Sequence, residues 1–127
     1  MIFKNPTKIH APLAAYSHQA EVNSDSKWLV MSGQLGMDKD GFLPKDVIKQ
    51  LAITFDNIMS NLEAAGMEKK NLVKLVFYFV GTHDIEQRRH VITQKLGDHQ
   101  PCMTLLYVAG LASPEIKVEI DAWACSV

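Results

Sequence analysis

The chain has 127 residues, a length that fits one domain and can bury a real core. Hydrophobic residues make up 47% and charged residues 21%, with a formal net charge of −1, so no global field draws the chain to nucleic acid or an acidic membrane. No apolar run is long enough to span a bilayer, and Met1–Pro6 lacks the apolar core of a secretory leader, so a cytoplasmic protein is expected.

In chain order, Tyr16 to Val22 and Lys27 to Ser32 have the pattern of two strands, with Asn23-Ser24-Asp25-Ser26 as the turn between them. Ser32-Gly33-Gln34-Leu35-Gly36 leaves the second strand, and Asp38-Lys39-Asp40-Gly41 makes a further turn. A helix is predicted from Lys45 to Ala65. Its apolar stripe is Val47, Leu51, Phe55, Ile58, Leu62 and Ala65, with Gly66 just past its end. Leu72 to Gly81, rich in Val, Phe and Tyr, reads as a strand. Thr82 or Asp84 then caps a second helix, Ile85 to Leu96, which Gly97-Asp98-His99-Gln100-Pro101 ends. Thr104 to Ala109 and Ile116 to Ala124 are the last two strands, joined at Ala112-Ser113-Pro114.

The last strand alternates strictly. Ile116, Val118, Ile120, Ala122 and Ala124 point one way; Lys117, Glu119, Asp121 and Trp123 point the other. The plain reading is one face on the core and one in water. A large aromatic is out of place on a purely wet face, which points to a subunit interface or a cleft instead. The order is β-β-α-β-α-β-β, with a short N-terminal strand as well. Two amphipathic helices suffice to cover one face of one sheet. The other face must meet solvent or another chain, and Trp123, Tyr107 and Leu105 are candidates for it, which argues for an oligomer. No repeat or linker divides residues 1–127, so a single domain is expected.

Several stretches, taken in order, carry a resemblance. They are Ala15-Tyr16-Ser17-His18; Val30-Met31-Ser32-Gly33-Gln34-Leu35-Gly36; Asp40-Gly41-Phe42-Leu43-Pro44; Gln50; Asn57-Ile58; Leu62-Glu63-Ala64-Ala65-Gly66; Val73-Lys74; Leu96-Gly97-Asp98-His99-Gln100-Pro101; and Val118-Glu119-Ile120-Asp121-Ala122. Together they resemble the RidA (YjgF, endoribonuclease L-PSP) family over nearly the whole chain. The resemblance implies an α+β, chorismate-mutase-like fold: a mixed β-sheet with two helices packed on one face. It also implies a homotrimer with a central β-barrel and small-molecule clefts between subunits. The implied activity is hydrolysis of a 2-imino or 2-enamino acid to a 2-oxo acid and ammonia, without metal or organic cofactor. The iminium carbon is already electrophilic, so a positioned water and a carboxylate to orient it are enough.

The resemblance makes Glu119 the water-orienting residue. It places Tyr16 near the cleft, Gly36 where the backbone approaches the ligand, and Arg89 at a cleft position of the second helix. The family's carboxylate-binding arginine follows the proline by two residues; here Pro101 is followed by Cys102 and Met103. Methionine cannot pair with a carboxylate, so the chain looks like an arginine-less branch in which Met103 and Thr104 line the cleft. A non-catalytic ligand sensor or partner-binding trimer is the alternative. An endoribonuclease or translation-inhibitor role comes last, because no basic, aromatic-rich stripe is present.

The plainer readings run alongside. Asp121 reads as structural, paired with Lys117 or Lys74. Arg88 and Arg89 make an ordinary charged helix face with Glu86 and Gln87. His18, His83, His90 and His99 lack metal-ligand spacing. Cys102 and Cys125 have no paired-cysteine spacing and read as free thiols; Cys102 as a nucleophile with His99 as base is set against a buried, inert thiol.

Overall fold

A computed structural model describes residues 1–127. Ten elements follow in order, and the two helices lie where the apolar stripes put them. α1 spans Val47–Ala64, with the Asp46 side chain accepting from the Lys49 backbone N–H at its start. Leu51, Phe55, Ile58 and Leu62 of the predicted stripe are fully buried. Gly66 closes the helix at φ +71°, where a side chain would be strained. α2 spans Ile85–Leu96 as expected, and Asp84 is its cap, accepting from the Gln87 N–H.

The main sheet is built from β3 (Lys27–Val30), β7 (Val118–Ser126), β5 (Leu72–Phe79) and β6 (Cys102–Tyr107), side by side in that order. β4 (Gln34–Leu35) also pairs with β7. β5 and β6 are parallel, joined by the α2 crossover, and the other pairs are antiparallel. β1 (Ile2–Lys4) is the expected N-terminal strand. It pairs with β2 (Gln19–Glu21) in a separate ribbon.

Both helices cover one face of the sheet. Val118, Ile120, Ala122 and Ala124 of β7 and Leu75, Phe77 and Phe79 of β5 meet α1 there, with Ile92 and Leu96 of α2 beside them. Gln50 is the one buried amide in this wall. Its Nε2 donates to the Pro44 and Glu115 carbonyls, and its Oε1 accepts from the Lys117 N–H, so α1 is fastened to the approach of β7.

Three expectations need correction. The stretch Tyr16 to Val22 is strand only at Gln19–Glu21, because Ser17 is drawn to the start of β6. Its N–H donates to Pro101 O and its hydroxyl to Gln100 O. The strand from Lys27 stops at Val30, and the chain leaves the ladder over Ser32 and Gly33 before rejoining it at Gln34. Leu105 and Tyr107 belong to the helix side of β6, paired in register with the core residues Phe77 and Phe79. The uncovered face instead carries Trp28 and Val30, 49% and 68% exposed, with Lys74, Val76, Tyr78, Thr104 and Trp123.

Candidate active site

Glu119 stands on the uncovered face of β7, opposite Leu35 of β4 on one side and Tyr78 of β5 on the other. Its carboxylate is seated against Gly33, where the chain has left the ladder. A Cβ at position 33 would come 1.9 Å from Glu119 Oε2. The glycine therefore makes room for the carboxylate. Burial raises the Glu119 carboxyl above its ordinary value, and the Asp121 carboxylate two residues along the same face raises it further. Asp121 pairs with neither lysine. Its Oδ2 accepts from the Tyr78 hydroxyl at 3.0 Å, and that bond, with burial behind it, pushes the phenol up. Lys74 donates to Thr104 Oγ1 at 2.8 Å. The face thus holds one carboxylate fixed by a phenol and a second, protonated more easily, beside a bend in the backbone.

A second cluster lies on the opposite side of the sheet. Met103 points to the helix side of β6 and forms, with Leu13, Ala14 and Ile92, the apolar walls of a cavity of about 210 Å³. Arg88, Arg89 and Thr93 of α2 complete it. The two Ser17 bonds hold the 13–17 segment against the start of β6 and so build that wall. Tyr16 packs edge-on to His18 at 5.6 Å, and its hydroxyl accepts from the Leu13 N–H.

The residues expected at one site are therefore divided between two. Arg89 and Met103 come together at the α2 cavity, with Tyr16 in the segment beside it. Thr104 does not join Met103. Successive strand residues face opposite ways, and Thr104 bonds Lys74 on the uncovered side. Glu119 is also on the uncovered side, two strands from β6, a lateral gap of about 10 Å. Gly36 is not an open backbone position. It is buried against α1, where a Cβ would meet the Gln50 backbone at 2.5 Å, so its glycine is required by packing. Cys102 and His99 do not form an activated pair: burial raises the thiol, and His99 Nε2 bonds the Leu72 carbonyl.

Sequence reasoning missed two residues. Gly33 stands just before the two residues that rejoin the sheet, but its contact to Glu119 spans 86 positions and has no local trace. Arg88 was read as wet surface because it stands in a polar, charged run with Glu86, Gln87 and Arg89. It is in fact half-buried, its Nη1 donating to Tyr107 Oη at 2.8 Å and to His83 Nε2 at 3.1 Å.

Comparison with known proteins shows the family. The family model described as Endoribonuclease L-PSP matches residues 7–126. A RutC family protein of Aquifex aeolicus is 28% identical over 119 residues, covering 91% of this chain and 93% of that protein. The 2-iminobutanoate/2-iminopropanoate deaminase of Escherichia coli is 28% identical over 100 residues, covering 76% and 77%. Among solved structures, a Rid-family protein of Yersinia pestis whose function is unknown superposes with a TM-score of 0.87 at 24% identity, covering 98% of both chains. RidA of the Antarctic bacterium Psychrobacter gives 0.71 at 27% identity over 90% of each. No helix of this chain is long and apolar enough to cross a membrane. With all but its first six residues and its last matched to one family model, the chain belongs to the endoribonuclease L-PSP family, whose members also carry the Rid and RutC names.

Proposed function

We propose that this protein hydrolyses a small imine or enamine to a carbonyl compound and ammonia, in clefts formed between the subunits of a homotrimer. The observation that carries the reading is the Glu119 carboxyl, seated over Gly33 on the sheet face that no helix covers, partly buried and raised above its ordinary value. A carboxylate that holds a proton more readily than its solvated counterpart is a stronger base at neutral pH. It accepts a proton from water as the water oxygen bonds to the iminium carbon. Protonated Glu119 then returns its proton to the carbinolamine nitrogen, the C–N bond breaks as the C–OH becomes C=O with loss of its proton to solvent, and ammonia leaves with the carboxylate restored.

The division of the site supports the trimer. Glu119 and the α2 cavity lie on opposite sides of one sheet, so a single chain cannot offer both to one small molecule. A neighbouring copy whose α2 end docks beside Glu119 would bring them together, and the exposed Trp28 and Val30 give that neighbour an apolar surface to cover. The name of the Escherichia coli relative, a 2-iminobutanoate/2-iminopropanoate deaminase, and an Escherichia coli TdcF structure with bound serine (TM-score 0.73, 24% identity) fit a small amino-acid-like ligand.

The test is ammonia release from freshly generated 2-iminobutyrate, with Glu119→Gln beside the wild type. Release above background that the variant loses supports the reading; the same rate in both refutes the role of Glu119. Met103, where the resemblance implies an arginine, favours a second reading, ligand binding without turnover. In that case the wild type binds 2-oxobutyrate and releases no ammonia.

A further inference from the structure

We propose that Arg88, held in place by Tyr107 and His83, is the residue that binds the anionic group of the ligand in the α2 cavity, with Arg89 as its solvent-side partner. The inference rests on the deaminase cleft above and names how that cleft recognises its ligand without a cation on β6.

Arg88 sits one turn into α2, its N–H bonded to the Asp84 carbonyl. Its side chain turns toward the sheet rather than to water. The guanidinium lies 5.9 Å from the centre of the Phe79 ring. Nη1 donates to Tyr107 Oη and to His83 Nε2. Phe79, His83 and Tyr107 also pack on one another, with ring centres 4.4 to 6.3 Å apart. None of these partners is negative. The ion pairs of the chain are Lys4–Glu21, Lys70–Glu68 and Lys95–Asp56, and neither Arg88 nor Arg89 takes part in one.

Two details show that the cage serves the cation rather than neutralising it. His83 accepts from Arg88, so its Nε2 is unprotonated; burial and the neighbouring guanidinium both favour that neutral form. His83 Nδ1 and Arg88 Nε are buried with no hydrogen-bond partner, so the cluster is richer in donors than in acceptors. A half-buried, oriented guanidinium with no counter-ion is costly unless an anion completes it. The cavity supplies the space for one. Apart from Thr93, its remaining walls, among them Leu13, Ile92 and Met103, are apolar and select a small aliphatic substituent beside the charge. Met103 therefore shapes the pocket while α2 supplies the charge from the adjoining wall. The ligand class is a small monocarboxylate with a short apolar side chain.

The test compares 2-oxobutyrate with its uncharged methyl ester, titrated into the full-length protein by ligand-observed NMR. Three variants accompany the wild type: Arg88→Gln, Arg88→Lys and Tyr107→Phe. The proposal expects the acid to bind the wild type and to weaken about tenfold or more in Arg88→Gln, with the ester little changed. Arg88→Lys keeps the charge and guards against a folding defect; it should recover part of the affinity. Tyr107→Phe frees one edge of the guanidinium and should weaken the acid but not the ester. Equal acid affinity in wild type and Arg88→Gln overturns the proposal, as does a wild type that takes the ester as well as the acid. Binding of the ester alone overturns the anion site and leaves the cleft standing. Binding of neither, with no ammonia from 2-iminobutyrate, removes the deaminase reading together with it.

Discussion

Gly33→Ala is the sharpest probe of the carboxylate site, because the three atoms nearest to the added methyl all belong to the Glu119 side chain. The added methyl carbon would lie 1.9 Å from Oε2, 2.7 Å from Cδ and 3.0 Å from Cγ of Glu119, while ordinary contact begins at 3.4 Å. The carboxylate must therefore retreat by about 1.5 Å, which the flexible end of a glutamate can do. The backbone at position 33 is not left-handed, so alanine itself is tolerated there. Its smaller unfolded-state entropy stabilises by a few tenths to about 1 kcal/mol, offsetting the displacement of the glutamate. A misplacement of about 1 Å in a catalytic group costs on the order of 100-fold in rate. The expectation is thus a deamination rate down about 100-fold with a melting temperature within a few degrees of wild type. Ammonia release coupled to glutamate dehydrogenase reads the first and circular-dichroism melts read the second. A Gly33→Ala protein with wild-type turnover would show that Glu119 does not act from the position it holds here.

Gly36→Ala should do the reverse. Its methyl meets the backbone of α1, which cannot retreat, so the variant loses about 1–3 kcal/mol and melts lower by about 4–11 °C. A melting temperature unchanged from wild type would refute that packing role. Glu119→Gln should melt higher than wild type at pH 7. The folded-state pKa of Glu119 is raised, so folding favours its protonated form, and that contribution is lost as pH rises through the folded pKa. The amide avoids the loss, and its advantage should vanish below the ordinary carboxyl value of 4.5; melts at pH 7 and pH 4 decide this. Gln50→Leu leaves the Pro44 and Glu115 carbonyls and the Lys117 N–H without their partner, and should cost about 3 kcal/mol or more in urea unfolding. A cost below about 1 kcal/mol would mean that water replaces the amide.

Much of the fold was legible because its signals are local. The α1 stripe, the Asp84 cap, the strict alternation of β7 and the valine-rich run of β5 each specify an element within a few residues of chain. Strand ends were not legible where a distant partner decides them. Ser17 leaves the β pattern because Gln100 and Pro101, more than 80 positions away, take its hydrogen bonds. The face of Leu105 and Tyr107 also depends on a register, set by the parallel pairing with Phe77 and Phe79. At the site, the alternation of β7 gave the face on which Glu119 stands, while its proposed role came from the resemblance alone. The glycine beneath it was not legible, since Gly33 and Gly36 look alike until one meets a side chain and the other a helix. Arg88 was hidden for a related reason: one aromatic cage outweighs the surrounding polar sequence of α2.

The position of β7 also bears on how the chain is made. Residues 118–126 form the strand on which β3, β4 and β5 all pair, yet they come after every other element. During synthesis the earlier strands leave the ribosome with no common partner, and the apolar side of α1 has only part of its sheet to rest on. Loop-closure entropy over the long separations from β3 and β4 to β7 must be met before any of that pairing rewards it. The nascent chain therefore passes through an interval with open strand edges and uncovered leucines and phenylalanines, when it is most exposed to association with its own copies or capture by a chaperone. Vectorial synthesis makes arrival of Val118–Ser126 the event that converts a collection of local elements into a sheet.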